Sequence, residues 1–155
     1  MFIAIRLYRG TTNPEEVNRR IVASLVPVMR RMPGFRNYTT VDLGGGTICS
    51  VSLFDSRAEA DAATAEARGI VQATLTDLVP NPPEVRMGVV MSTVRGEGEP
   101  SHIAIRTYDG CKDAQELDRR IGAHLMPALR AMPGFRGYTT TDLGGGRVAS
   151  ISLFD

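Results

Sequence analysis

The sequence contains no tryptophan, only two cysteines and two histidines, and no long hydrophobic run. A metal centre needs a cluster of His, Cys or carboxylate ligands, and His102 and His124 stand outside any such cluster, so we expect neither a metal site nor a cofactor. Cys49 and Cys111 form no spaced pair, which favours free thiols in a reducing cytoplasm. No apolar stretch approaches the roughly 18 residues of a membrane-spanning helix, and we expect no membrane partner.

Neither sign of charge is in excess, because 18 Lys and Arg residues face 17 Asp and Glu residues. Proteins that bind nucleic acid or an anionic surface usually carry a basic excess. We therefore expect no nucleic-acid partner. The N-terminal residues 1–6 lack a basic leader followed by a long apolar core, so we expect them to form a strand rather than a signal peptide.

What the sequence does contain is a repeat. Residues 2–55 align without a gap to residues 102–155, and 32 of these 54 aligned positions are identical. The residues between the copies end in a polar, glycine-rich stretch that is typical of a linker. The repeat predicts a first unit over residues 1–94, a linker over 95–101 and a second unit over 102–155.

Hydrophobic periodicity predicts the elements of the first copy. Asn13 and Pro14 mark the start of one helix, and Ser56 with Glu59 marks the start of another. Pro27, and Pro127 at the same place in the second copy, predict a kink or break in the first helix of each copy. Alternation in the second strand predicts that the side chains of Phe35 and Tyr38 lie on opposite faces of the sheet. The predicted strands cover residues 2–8, 35–43, 47–54 and 85–91, and the predicted helices cover residues 14–32 and 56–79.

The order βαββαβ predicts a ferredoxin-like α+β unit, duplicated in tandem. We expect a four-stranded antiparallel sheet with strands one and three in the centre and both helices on one face. The second copy is incomplete, because it lacks the last helix and strand. We expect the natural chain to continue past Asp155 with an alanine-rich helix and a closing strand.

These motifs resemble those of the antibiotic biosynthesis monooxygenase-like family, which belongs to the dimeric α+β barrel group. The resemblance rests on a helix that ends in MPGF, a strand with a tyrosine, a triple-glycine turn and a strand that ends in SLFD before an alanine-rich helix. It covers residues 2–94 fully and 102–155 in part. It implies a dimeric α+β barrel-like arrangement, formed here by intramolecular pairing of the two repeats or in a homodimer. It also implies a ligand pocket between sheet and helices.

The duplication also identifies candidate site residues, because some polar residues recur at the same place in both copies. One interpretation is a polar pocket lining that donates hydrogen bonds to a substrate phenolate or carbonyl. The other is that the Arg and Asp residues pair near a rim and the tyrosines pack an interface. The candidate pocket-lining residues are Arg6, Tyr8, Tyr38, Asp42, Arg106, Tyr108, Tyr138 and Asp142.

The resemblance implies a cofactor-independent monooxygenase that acts on a small aromatic or apolar compound. The catalytic residues are unknown, because members of the family use a Trp with Asn or His and this sequence has no Trp. The alternative function is a non-catalytic module that binds a small ligand or serves assembly. A pocket above about 300 Å³ between sheet and helices, lined by Arg6, Tyr8 or Tyr38, would favour ligand handling.

Overall fold

The structure, a computed structural model, describes residues 1–155. Its elements are β1 (Phe2–Arg9), α1 (Pro14–Met29), β2 (Phe35–Asp42), β3 (Thr47–Phe54), α2 (Arg57–Thr74), β4 (Glu84–Arg95), β5 (His102–Tyr108), α3 (Ala114–Arg120), a π-helical turn (Ile121–Leu125), α4 (Met126–Ala131), β6 (Phe135–Gly144) and β7 (Arg147–Phe154). The first copy therefore has the predicted βαββαβ order. None of the helices is long and apolar enough to cross a membrane.

Both helices of the first copy begin at the predicted caps. The Asn13 side chain accepts a hydrogen bond from the backbone of Glu16, with Pro14 in the first turn. Ser56 and Glu59 form a reciprocal capping box, which satisfies two backbone N–H groups that the first turn leaves unpaired. α2 ends at Thr74, earlier than predicted, and a turn follows it.

The chain folds as two compact units, Met1–Met87 and Gly88–Asp155, so this boundary lies inside β4. The boundaries at residues 94 and 102 were predicted from the sequence repeat. The boundary after Met87 instead divides the chain into its two compact units. In the first unit β3 pairs antiparallel with β1 and with β2. In the second unit β7 pairs antiparallel with β5 and β6, and β6 also pairs with the part of β4 from Val89 onward.

A β-bulge in β2 corrects one prediction. Phe35 lies opposite Phe54 and Asn37 lies opposite Leu53, so β2 inserts an extra residue, Arg36, at this point. Because a bulge shifts the alternation by one residue, Phe35 and Tyr38 pack against the same core cluster instead of facing opposite sides. The guanidinium of Arg36 forms two hydrogen bonds with the Asp55 carboxylate, which holds the inserted residue outside the core.

The core of the first unit lies between its sheet and its two helices. α1 contributes residues spaced by four, Val17, Ile21, Leu25 and Met29. α2 contributes Ala60, Ala63 and Ala67, each 3% exposed or less. These small side chains bring the backbone of α2 close to the sheet.

The prolines in the first helix of each copy have different consequences. In the first copy α1 continues through Pro27 to Met29. In the second copy the helix changes to a π-helical turn just before Pro127, and the Met126 N–H reaches the Ile121 carbonyl. Because Pro127 has no N–H to donate, the regular pattern of helical hydrogen bonds cannot continue through it. The π-helical turn is such an irregularity, so the predicted disruption is present in the second copy.

Candidate functional site

The candidate site is built on the helix-facing side of the first unit's sheet. Arg6 lies opposite Ser50 in the pairing of β1 with β3, and Thr40 lies opposite Ser50 in the pairing of β2 with β3. Directly opposed residues of an antiparallel pair point to the same side of the sheet. Alternate residues of β1 and β2 therefore share this side with Ser50. The candidate residues of the first copy that lie on it are Arg6, Tyr8, Tyr38 and Asp42.

Arg6 is a buried cation without a carboxylate partner. It is 2% exposed, and it donates hydrogen bonds from Nη1 to the Ser52 hydroxyl at 2.9 Å and from Nη2 to the Thr64 hydroxyl at 2.6 Å. Its buried Nε has no hydrogen-bond partner. Burial lowers the pKa of Arg6, although an arginine stays protonated in proteins. The interpretation of a rim pair between Arg6 and Asp42 therefore does not hold, because hydroxyls take the place of the carboxylate.

A cavity of about 400 Å³ opens beside Arg6. Its walls come from β1, from α2 and from the segment between α2 and β4, so it lies between sheet and helix as the resemblance implies. Apolar groups dominate the lining, two arginines contribute positive charge, and no carboxylate or histidine is present. The lining residues from α2 that matter below are Thr64, Ala67, Arg68, Val71 and Gln72.

Two tyrosines sit beside Arg6. Tyr8 lines the cavity and is 7% exposed, and Tyr38 packs against the same core. Burial raises the pKa of both phenols above the ordinary value, while the charge of Arg6 opposes the rise. The nearby hydroxyl of Ser50 lowers the pKa of both phenols, which also opposes the rise. The Ser50 Oγ itself is buried and forms no hydrogen bond of good geometry. Both tyrosines therefore stay protonated at neutral pH and can donate hydrogen bonds.

Asp42 lies apart from this cavity. Its Oδ1 accepts a hydrogen bond from the backbone N–H of Gly44 at 2.8 Å, which stabilises the triple-glycine turn. It also borders a second cavity of about 250 Å³ between α1 and β2. Asp142 makes the same turn contact with Gly144 at 2.8 Å.

The candidate residues of the second copy do not form an equivalent enclosed pocket. Arg106 donates a hydrogen bond to the Ser152 hydroxyl at 3.1 Å, as Arg6 does to Ser52, but Arg106 is exposed. Tyr108 is 49% exposed, whereas Tyr138 is 5% exposed and packs in a small apolar cluster. In the first unit α2 covers this face, and residues 1–155 contain no helix after β7.

Sequence reasoning missed Thr64 and the other α2 residues that line the cavity. The comparison between copies could not find them, because the repeat ends before α2. The capping box of α2 and its run of alanines placed the helix on the sheet, and its spacing puts Thr64 four residues after Ala60 on the inward side. The polar group within the alanine run was the available signal.

No protein-family model and no curated protein matches the sequence, whereas solved structures match across 99% of the chain. An anthrone oxidase-like protein is 16% identical, 73% of it is covered and the TM-score is 0.63. A candidate monooxygenase of Fusobacterium nucleatum subsp. nucleatum is 8% identical, 75% covered, with a TM-score of 0.69. One of Lactobacillus acidophilus NCFM is 11% identical, 75% covered, with a TM-score of 0.65. At these identities the likeness is one of fold, and the chain has the α+β fold of these proteins.

Proposed function

We propose that the first unit binds a small aromatic or apolar compound through an anionic oxygen, and that the protein is a monooxygenase-like enzyme acting on that compound. The observation that carries the proposal is Arg6, a buried guanidinium with an unpartnered Nε in the wall of a cavity of about 400 Å³. A buried charge without a counter-ion is costly unless something compensates it. An anionic oxygen in the cavity would compensate it.

The size and character of the cavity support a small, mainly apolar ligand. Ligand pockets commonly measure about 300–1,000 Å³ and combine an apolar lining with a few polar groups that orient the ligand. Here Val71 and Val79 supply apolar surface, and Arg6 and Tyr8 supply the polar groups. A fused aromatic compound with one ionised hydroxyl has the chemistry that this lining recognises.

The lining also limits how the reaction would begin. It has no carboxylate and no histidine, and the raised pKa of Tyr8 makes the phenol a donor rather than a base. The substrate would therefore react as a phenolate or enolate stabilised by the fixed charge of Arg6. Molecular oxygen would be the oxidant. Oxidation of a methylene carbon to a carbonyl then uses one O₂, whose second oxygen leaves as water with the two hydrogens of the methylene group.

The test compares Arg6 with its exposed counterpart. Oxygen consumption and ligand binding would be measured with a panel of quinols and of hydroxylated polycyclic compounds that carry a ring methylene group, for the natural chain, Arg6→Gln and Arg106→Gln. A hydrogen bond to a charged group contributes about 1.5–3 kcal/mol, so we expect Arg6→Gln to weaken binding by about ten- to a hundredfold. Arg106→Gln should bind as the natural chain does.

Each outcome separates the two functions. Binding that depends on Arg6 without oxygen uptake would favour the non-catalytic ligand-binding module. Absence of both binding and turnover across the panel would reject the proposal. Equal losses in the two variants would show that the site does not lie in the first unit.

A further inference from the structure

The cavity beside Arg6 has a polar row along its α2 wall. The lining residues of α2 recur at spacings of three and four, so they occupy one side of the helix. Among them Thr64, Arg68 and Gln72 are spaced by four and are therefore neighbours along the helix surface. The row begins where Thr64 accepts the hydrogen bond of Arg6.

Arg68 is the second cation of this cavity, and its surroundings differ from those of Arg6. Arg6 is 2% exposed, whereas Arg68 is exposed to solvent. Arg68 forms no hydrogen bond and no ion pair within the chain. The helix offers it no carboxylate, because the positions three and four residues away hold Thr64, Ala65, Val71 and Gln72.

The two arginines stand at different depths of one cavity. Thr64, which contacts Arg6, and Arg68 are four residues apart, which is about 6 Å along a helix axis. Arg6 is therefore at the buried side of the cavity and Arg68 at its solvent side. The lining contains no carboxylate that would neutralise either charge. A cavity lined by one sign of charge attracts ligands of the opposite sign.

We propose that Arg68 selects a ligand that carries a carboxylate at the end opposite the ionised hydroxyl that Arg6 binds. The inference rests on the proposed function, because it takes the hydroxyl at Arg6 as given. A guanidinium binds a carboxylate through two parallel hydrogen bonds, and Gln72 is one turn further along the row with an amide that can donate another. The substrate class is then a hydroxylated fused aromatic acid rather than a neutral quinol.

The experiment compares 6-hydroxy-2-naphthoate with its methyl ester, which has nearly the same shape but no carboxylate charge. Binding to the full chain is followed by the fluorescence of the naphthalene, which tryptophan does not obscure because the chain has none. We expect the acid to bind about three- to tenfold more tightly than the ester, as for a partly exposed ion pair with two hydrogen bonds.

Variants assign this preference to one residue. Because Arg68 is exposed, its variants should fold normally. Arg68→Gln should weaken binding of the acid about three- to tenfold more than binding of the ester. Arg68→Lys keeps the charge without the paired hydrogen bonds, so it should recover part of the difference. Arg6→Gln should weaken binding of both compounds by similar factors, because both carry the hydroxyl.

Arg57→Gln is the matched control for the loss of one positive charge from the same helix. Arg57 is the first residue of α2, lies 3.6 Å from Asp61 and does not line the cavity. This substitution should leave the preference for the acid as it is in the natural chain.

Three results would overturn the inference: equal binding of acid and ester, a preference for the acid that Arg68→Gln leaves intact, or a preference that Arg6→Gln removes. In the last case the carboxylate would lie at Arg6. All three leave the proposed function standing if binding of the ester depends on Arg6. Absence of binding, or binding that does not depend on Arg6, would reject the proposed function and the inference together.

Discussion

The guanidinium of Arg6 donates a 2.6 Å hydrogen bond to the hydroxyl of Thr64, and this contact links the sheet of the first unit to α2. The Thr64 hydroxyl in turn donates a 2.7 Å hydrogen bond to the Ala60 carbonyl. The hydroxyl thus satisfies one of the donors of a buried cation while it orients that cation beside the cavity.

Thr64→Val tests this link. Valine has the shape of threonine without the hydroxyl, so the substitution leaves a buried N–H of Arg6 without a partner. Such a loss costs about 1–3 kcal/mol in the free energy of unfolding. Urea denaturation would measure it. Thr64→Ser, which keeps the hydroxyl, should lose clearly less, and equal losses in the two variants would show that the methyl group matters instead.

Gly34 offers a second test, because its φ of +66° lies in the left-handed region and a Cβ there would overlap the Glu59 carboxylate. That carboxylate accepts hydrogen bonds from Ser56 in the capping box of α2. Gly34→Ala should therefore lose about 1–2 kcal/mol from backbone strain and about 1 kcal/mol more from the displaced cap.

Gly134 is the matched control, because its φ is +77° but its nearest side chain, Asp155, lies 3.3 Å from the Cβ position. Gly134→Ala should lose the backbone contribution alone. Comparison of urea midpoints would measure the difference, and a greater loss at Gly134 would contradict the role assigned to Glu59.

The repeat and the helix starts were predictable because their signals are local. Asn13 and Ser56 cap helices through contacts within three residues, and the sequence itself displays the copies. The shared face of Arg6 and Tyr8 follows from simple alternation along one strand.

The rest depends on contacts that no local pattern encodes. The bulge at Arg36 turns Tyr38 toward the side of Phe35, and it is stabilised by Asp55, 19 residues away. The partnership of Arg6 with Thr64 spans 58 residues. Asp42 is the opposite case. Its side chain accepts a hydrogen bond from Gly44, two residues away, and an aspartate before a glycine run is a local signal for such a turn.

The two thiols should differ in reactivity. Cys49 is completely buried, and burial raises its pKa to about 11, whereas Cys111 is partly exposed. At pH 8 only about one Cys49 in a thousand would be a thiolate. We expect a thiol reagent to label one cysteine in the folded chain and two after denaturation. Prompt labelling of a Cys111→Ser variant would contradict this.

Two half-buried glutamates, Glu16 and Glu116, should titrate at unusually low pH. Hydrogen bonds from Arg19 and Arg20 lower the pKa of Glu16 to about 2, and those from Arg119 and Arg120 do the same for Glu116. Because the folded pKa lies below the unfolded value of about 4.3, the stabilisation is present above that value and is lost as the pH falls toward 2.

Carboxyl chemical shifts in an NMR titration would measure both pKa values. Arg119→Gln should raise the pKa of Glu116 and leave that of Glu16 unchanged, since each cluster lies within its own helix. A natural-chain Glu116 that titrates near 4.5 would show that the ion pairs do not persist in solution.

The π-helical turn of the second unit predicts a substitution that stabilises the protein. Gly122 lies in this turn, where a Cβ would meet no atom within 4 Å, and its counterpart in the first copy is Val22 in a regular helix. Alanine restricts the unfolded chain more than glycine does, so Gly122→Ala should add about 0.4–1 kcal/mol to the free energy of unfolding.

Gly69→Ala, in the regular helix α2 with the same open surroundings, should add a similar amount. Gly144→Ala should instead destabilise, because the φ of Gly144 is +79°. Thermal unfolding of the three variants would measure these changes, and a loss of stability in Gly122→Ala beside a gain in Gly69→Ala would mean that the π-helical turn itself requires glycine.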